Sequence, residues 1–262
     1  MAASRIGKYE LLETVGGHEC RVYRARDIKL GRTVAIKILP ANAEAEQRER
    51  LLAEARVSSR LRHPNLIQVL DVSEENGQLF LVMELLNGCT LRDALRDGMA
   101  GGIPRKLAIA REVGSALAYI HANNIIHRDV KPENIFLETD GKTKLIDFGV
   151  AKIEGMHLTG DGFTLGTPYY MAPEQVRGEH LTPLIDVYAF GVTLYEMLTG
   201  RRAVDGKSVD QIFDSILQQP LDLDLLRSNG VGADLLELVR RCTAKRPDDR
   251  PQGFAEILRL LH

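Results

Sequence analysis

The first 38 residues carry their apolar side chains in short, β-rich runs. Lys8 to Val15, Arg21 to Arg26 and Thr33 to Ile38 each read as a strand. A Gly16-Gly17 turn and the stretch Asp27 to Arg32 separate them, which predicts an antiparallel meander. Glu44 to Leu61 then changes period. It is rich in Glu, Arg, Ala and Leu, with apolar residues near helical spacing, and predicts one helix that ends before His63-Pro64. Two further strands follow, Leu66 to Ser73 and Leu79 to Glu84, with Glu75-Asn76-Gly77 as their turn.

Beyond Gly88 the texture is helical. Arg105 to Asn123 places Leu107, Ala110, Val113, Leu117 and Ile120 on one stripe. Thr182 to Thr199, Val209 to Leu217, Asp234 to Ala244 and Phe254 to Leu261 also read as helices. A β-rich third therefore precedes a helical two-thirds, and Leu85 to Gly88 is the natural boundary. No internal repeat or low-complexity segment interrupts this order.

Composition narrows the class without naming the chemistry. In 262 residues, 44% are hydrophobic and 27% charged, as in an ordinary globular chain. The net charge of −2 gives no basic excess for nucleic acid or an anionic membrane surface. Cys20, Cys89 and Cys242 are odd in number and far apart, so neither a disulfide framework nor a zinc site is expected. The N-terminus has no apolar signal region, and no apolar run reaches the ~18 residues of a membrane span. Val187 to Leu198 comes nearest, and it contains Tyr188 and Glu196 and reads as a buried helix. A cytoplasmic setting is the expectation.

The chemistry concentrates in His127-Arg128-Asp129-Val130-Lys131-Pro132-Glu133-Asn134 and in Asp147-Phe148-Gly149, 13 residues beyond Asn134. Between them, Ile135-Phe136-Leu137 and Leu145-Ile146 suit a hairpin turning at Gly141, which would bring Asn134 and Asp147 side by side. An Asn oxygen beside a carboxylate is a hard-oxygen site suited to Mg²⁺. Asp129 stands apart from that pair and could take a proton from a substrate hydroxyl.

With Ala172-Pro173-Glu174 downstream, these motifs resemble the eukaryotic-type protein kinase family from about Tyr9 to Leu261. The resemblance implies an α+β fold of two lobes. A small antiparallel N-lobe of five strands with one main helix spans about 8–84, a hinge about 85–88, and a larger helical C-lobe about 89–262. It implies ATP and Mg²⁺, with Mn²⁺ as an alternative, and transfer of the γ-phosphoryl to protein hydroxyls. Asp129 would be the catalytic base, Asn134 and Asp147 the metal ligands, and Lys131 the γ-phosphate's counter-charge, in the Ser/Thr-kinase form. Tyrosine kinases usually place Ala-Ala-Arg or Arg-Ala-Ala in that stretch.

Val34-Ala35-Ile36-Lys37 matches the family's third-strand motif. Lys37 would reach the phosphates and pair with Glu54, nine residues before His63, with Glu49 as the fallback. Val22, Ala35 and Phe136 would sandwich adenine, with Met83 as gatekeeper and Glu84 and Leu86 offering backbone groups. Glu174 should pair with Arg250, and Asp186 should hold the backbone near His127 and Arg128. The activation segment, Asp147 to Glu174, offers Thr164 and then Thr159 as regulatory phosphorylation sites, because Arg128 needs an anion.

One motif departs from the family. Val15-Gly16-Gly17-His18-Glu19-Cys20-Arg21-Val22 stands where the glycine-rich phosphate loop belongs, yet Cys20 replaces the third glycine and the loop is a residue short. Each lost amide–phosphate contact would cost ~1.5–3 kcal/mol. Two readings follow: an active kinase with looser ATP contacts, or a pseudokinase that binds nucleotide or partners. A small-molecule phosphotransferase is a third, disfavoured by Ala172-Pro173-Glu174. The overall style, including Leu194-Tyr195-Glu196-Met197-Leu198-Thr199-Gly200, resembles bacterial eukaryotic-like Ser/Thr kinases, which often continue into a membrane span and a sensor domain. Protein substrates, and a homodimer for trans-autophosphorylation, are the implied partners.

Overall fold

A computed structural model describes residues 5–16, 21–147 and 168–261. The N-terminal part is a twisted antiparallel sheet. Its strands are β1 (Arg5–Ile6), β2 (Tyr9–Gly16), β3 (Arg21–Asp27), β4 (Thr33–Ile38), β5 (Val69–Glu75) and β6 (Gln78–Glu84). They lie in the order β1-β2-β3-β4-β6-β5. The meander is as expected, but the sheet has six strands, not five. The extra one is the two-residue β1, too short to show a period, which pairs Ile6 with Tyr9. The β5–β6 turn uses positive φ at both Asn76 and Gly77, the geometry that matches strand twist.

Alternation along the strands sends side chains to two separate cores. Val34, Ile36 and Ile38 of β4 join Phe80 and Val82 of β6 on one face. Ala35 of β4 and Leu79, Leu81 and Met83 of β6 pack on the other, against Leu51 and Ala55 of α1 (Ala45–Ser58). The apolar run at 79–83 is therefore continuous because it is buried on both sides. Helix α1 stops three residues before its expected end. Arg60 and Leu61 donate to Val57 and Ser58, so the chain tightens into i→i−3 turns before His63.

The C-terminal part begins with β7 (Gly88–Thr90), which pairs with β8 (Ile135–Glu138) and through it with β9 (Thr143–Leu145). Gly88 is required here, because a Cβ would lie 1.9 Å from the Leu137 carbonyl oxygen. Its helices are α2 (Leu91–Arg96), α3 (Ile103–Ala122), α4 (Pro173–Val176), α5 (Leu184–Thr199), α6 (Val209–Gln218), α7 (Leu223–Ser228), α8 (Ala233–Cys242) and α9 (Phe254–Leu260). Residues Ile185 to Leu198 of α5 are all buried, so this helix is the axis of the C-terminal core. The short elements β7, α2, α4 and α7 were not expected. Among the described residues no helix is long and apolar enough to cross a membrane.

The two parts meet at more than the 85–88 connection. Before β5, Ile67 donates to the Leu145 carbonyl at 3.0 Å and Leu145 donates to that of Asn65 at 2.8 Å. The Asn65 side chain adds a bond to Thr143 O at 2.9 Å. The expected strand Leu66 to Ser73 is thus split. Its first residues bridge in parallel to β9, and regular pairing with β6 starts at Val69, where a bulge sets the register.

Low in the C-lobe, Arg250 and Glu174 form the expected pair. Two parallel bonds of 2.6 and 2.8 Å join the guanidinium to the carboxylate, and both groups are buried. Arg250 also donates to the carbonyls of Leu184, Ala244 and Lys245. Removing one member leaves the other charge stranded in the core. Arg250→Ala should therefore cost about 3–5 kcal/mol of unfolding free energy by urea denaturation. A loss under about 1 kcal/mol would show that the pair behaves like an exposed one.

Candidate active site

The same alternation that builds the sheet aims Lys37. With Ile36 and Ile38 turned toward the outer core, Lys37 follows Ala35 to the face covered by α1. On α1 the buried stripe runs Leu51, Ala55, Ser58, and Glu54 sits within it. Lys37 Nζ is 3.4 Å from Glu54 Oε2 and 2.9 Å from Asp147 Oδ1. Glu49, the fallback partner, is exposed. Burial pushes the Glu54 carboxyl up to about 7, with Lys37 opposing and Asp147 adding to the rise. The Lys37 charge does the reverse for Asp147, holding its carboxyl below the ordinary range against burial.

The β8–β9 hairpin brings the second group together. Ile135 pairs with Leu145, Gly141 turns at φ +92°, and Ile146 donates to the Asn134 carbonyl at 2.8 Å. Asn134 and Asp147 thus leave the same end of adjacent strands, as the spacing suggests. The Asn134 amide nitrogen donates to the Asp129 carbonyl and to Asp129 Oδ2, both at 2.8 Å. That fixes the amide's orientation, and its other polar atom is an oxygen. Lys131 Nζ lies 2.9 Å from Asp129 Oδ2. An amide oxygen from one strand end and, from the adjoining one, a carboxylate kept ionised by Lys37 are donor types that fit a hard divalent cation such as Mg²⁺.

The loop bearing Asp129 is held from below. Asp186, fully buried at the start of α5, accepts from the backbone N–H groups of His127 and Arg128 at 2.8 Å each, as expected. His121 Nε2 lies 2.7 Å from the same carboxylate. Arg128 adopts φ +68° and Asp147 φ +51°, a left-handed region that is costly for a long side chain such as Arg and more accessible to Asp. The Nε and Nη1 of Arg128 are buried without a hydrogen-bond partner among the described residues, and burial lowers the guanidinium's pKa against the pull of Asp186.

The other candidates are distributed around the cleft. Val22, Ala35, Met83 and Leu85 share one apolar cluster. Phe136 stands on β8 opposite Thr90 and Lys144, outside that cluster. Leu86 lies in the stretch without regular structure between β6 and β7. Val15 is exposed near the tip of β2, and Gly16 faces Val22 across the ladder. Gly17 and Cys20 of the degenerate loop, Thr159 and Thr164 lie outside the described residues. The strand pattern gives no hint that the Glu84 side chain is engaged. Its Oε1 accepts from Gln68 N at 2.7 Å and from Lys144 Nζ at 2.8 Å, tying the end of β6 to β9.

A protein kinase domain model matches residues 9–260. Among curated relatives, the chain is 37% identical over 265 residues to the DNA damage-responsive serine/threonine-protein kinase RqkA of Deinococcus radiodurans, covering 97% of this chain and 39% of the relative. It is 39% identical over 243 residues to the serine/threonine-protein kinase PknL of Mycobacterium tuberculosis, covering 89% and 59%. It is 36% identical over 248 residues to the serine/threonine-protein kinase PrkC of Bacillus subtilis, covering 93% and 38%. The chain thus spans between 38% and 59% of the length of these relatives. Among solved structures, Rad53 residues 1–466 in complex with AMP-PNP superposes with a TM-score of 0.79 at 27% identity, over 96% of this chain and 64% of that one. The two-lobed fold, the motif order and the family match converge: the chain belongs to the protein kinase family, and it is similar to eukaryotic-type serine/threonine-protein kinases of bacteria.

Proposed function

We propose that this chain transfers the γ-phosphoryl group of ATP to Ser and Thr hydroxyls of proteins, with N-lobe, hinge and C-lobe acting as one catalytic unit. The observation that supports this reading is two contact groups, Lys37 with Asp147 and Asp129 with Asn134 and Lys131, close enough that the Asp129 and Lys131 charges act on the Asp147 carboxyl.

In this reading Asp129 accepts the proton of the attacking hydroxyl, and Asn134 holds its carboxylate in place. Lys131, whose Nζ lies 2.9 Å from Asp129 Oδ2, would neutralise the transferred group. Lys37, steadied by Glu54, pairs with the ATP phosphates. Asp147 and the Asn134 oxygen hold Mg²⁺, or Mn²⁺ in its place. Bound there, the ion offsets charge on the phosphate oxygens. Val15, Gly16 and Gly17 cover the phosphates, while Val22, Ala35, Met83, Glu84, Leu86 and Phe136 receive the adenine. A nucleotide- or partner-binding pseudokinase would not need this full set of ionisable groups, so the catalytic reading is preferred. The substrates are proteins, a second copy included, and a cytoplasmic setting supplies the ATP.

The purified chain should transfer label from ATP to a protein acceptor in Mg²⁺. Asp129→Asn should slow transfer by ~10²–10⁴-fold while the fold persists. Asp147→Asn should also abolish Mg²⁺-dependent nucleotide binding; turnover like the wild type in that variant would refute the metal assignment.

Glu54 gives a pH signature. Its folded-state pKa, about 7, lies above the usual 4.5, so its contribution to stability is full below about 4.5 and is lost as the pH rises through about 7. Thermal unfolding of the nucleotide-free protein should show that decline between pH 5 and 8, and Glu54→Gln should flatten it. An unchanged profile would mean that Glu54 is ionised throughout.

Regulation by phosphorylation of Thr164, with Thr159 second, completes the reading, and the buried Nε and Nη1 of half-buried Arg128, without a partner among the described residues, support it. Mass spectrometry of protein made with ATP should find phosphate on these residues, and the Thr164→Ala, Thr159→Ala double variant should lose activity. Wild-type rates in that variant at saturating ATP would eliminate the switch.

A further inference from the structure

Outside the cleft, one guanidinium joins three separate elements. Arg92 lies on α2, four residues after Gly88. Its Nε donates to Glu133 Oε1 at 2.8 Å, its Nη1 to Glu196 Oε1 at 2.5 Å, and its Nη2 to the Tyr170 hydroxyl. The Tyr170 hydroxyl in turn donates to Glu196 Oε2 at 2.5 Å, closing a ring of hydrogen bonds. Glu196 and Tyr170 are buried, and burial with the Glu196 charge keeps the phenol protonated far above the ordinary range.

The position of each partner gives the ring its meaning. Glu133 sits in the short turn Pro132–Asn134, directly before the Asn134 whose amide holds Asp129. Tyr170 closes the turn Pro168–Tyr170, which leads through Met171 into Ala172-Pro173-Glu174. Glu196 belongs to α5, which also carries Asp186. Arg92 is the cation between two carboxylates, and the second oxygen of Glu133 is buried with no hydrogen-bond partner among the described residues. A planar fork of five donors can serve three acceptors at once, whereas an ammonium cannot hold the same geometry.

We propose that Arg92 is a positioning residue for phosphoryl transfer: it ties the Asp129 loop and the segment before Ala172 to α5, so that the base and the surface beside it keep one relative geometry. This rests on the kinase reading above. It acts on the transfer step and on acceptor alignment, not on nucleotide binding, because none of its partners is among the ATP-contacting candidates.

The test compares the wild type with Arg92→Lys, Arg92→Ala and Tyr170→Phe, measuring kcat, the KM for ATP, Mg²⁺-dependent nucleotide affinity and thermal unfolding. Tyr170→Phe removes only a hydroxyl and keeps the packed ring, so it guards against a misfolded Arg92→Ala. Misplacement near the chemistry should lower kcat by ~10–100-fold in all three, with the KM for ATP and nucleotide affinity unchanged. Combining Arg92→Lys with Tyr170→Phe should cost little more than either alone, since both break the same ring. A kcat unchanged in Arg92→Lys and Tyr170→Phe, even with a lower unfolding temperature, overturns the proposal, as does a loss confined to the KM for ATP. A wild type without transfer activity refutes the kinase reading and this inference with it; an active wild type beside unaffected variants sinks this inference alone.

Discussion

Asp186 is the buried carboxylate on which the Asp129 loop hangs. A carboxylate withdrawn from water must be compensated by donors, and here two of them are the backbone N–H groups of His127 and Arg128. The compensation runs in both directions. The carboxylate is satisfied, and a loop with Arg128 at positive φ is held where it would not rest by itself. Asp129 follows immediately, so the placement of its carboxylate is inherited from α5, whose residues Ile185 to Leu198 are all buried. Rigidity at the site therefore comes from the core of α5, through hydrogen bonds rather than through packing.

On the other side of the cleft, the corresponding constraint is the pleat of the sheet. Lys37 needs no special contact to face α1, because its neighbours Ile36 and Ile38 are drawn into the opposite core. Glu54 meets it because the buried stripe of α1 includes that position. The pair is legible through the family resemblance, from Val34-Ala35-Ile36-Lys37 and the His63-Pro64 marker, with Glu49 left as a fallback; strand and helix period explain why the two side chains then meet. The hairpin that aligns Asn134 with Asp147 is legible from two apolar runs around a glycine.

What escapes is short or tertiary. β1 and β7 have two and three residues, too few for a period to emerge. α2 does carry a start signal, Thr90 with Asp93 at the third helical position. Thr90 accepts from the Asp93 N–H at 3.1 Å and donates to its carboxylate at 2.7 Å, but six residues give no apolar stripe to notice. Since Arg92 lies on that helix, its ring with Glu133, Tyr170 and Glu196 is equally hidden: its members are separated by up to 104 positions, and only the fold makes them neighbours. The Lys144–Glu84 contact is hidden for the same reason. Neither charge differs in local pattern from an ordinary surface residue.

The bonds between residues 65–67 and β9 have a mechanical consequence. A domain pair joined by one strand of chain could swing in any direction. Here the covalent crossing at 85–88 is joined by hydrogen bonds from Asn65, Ile67 and Leu145, by Lys144 to Glu84, and by the Arg62 N–H to the Tyr119 hydroxyl. On the cleft side, Lys37 reaches Asp147 through an ion pair. The molecule is bound like a book whose spine, with β9 in it, is stitched at several places, and separating Lys37 from Asp147 is what it takes to part the pages.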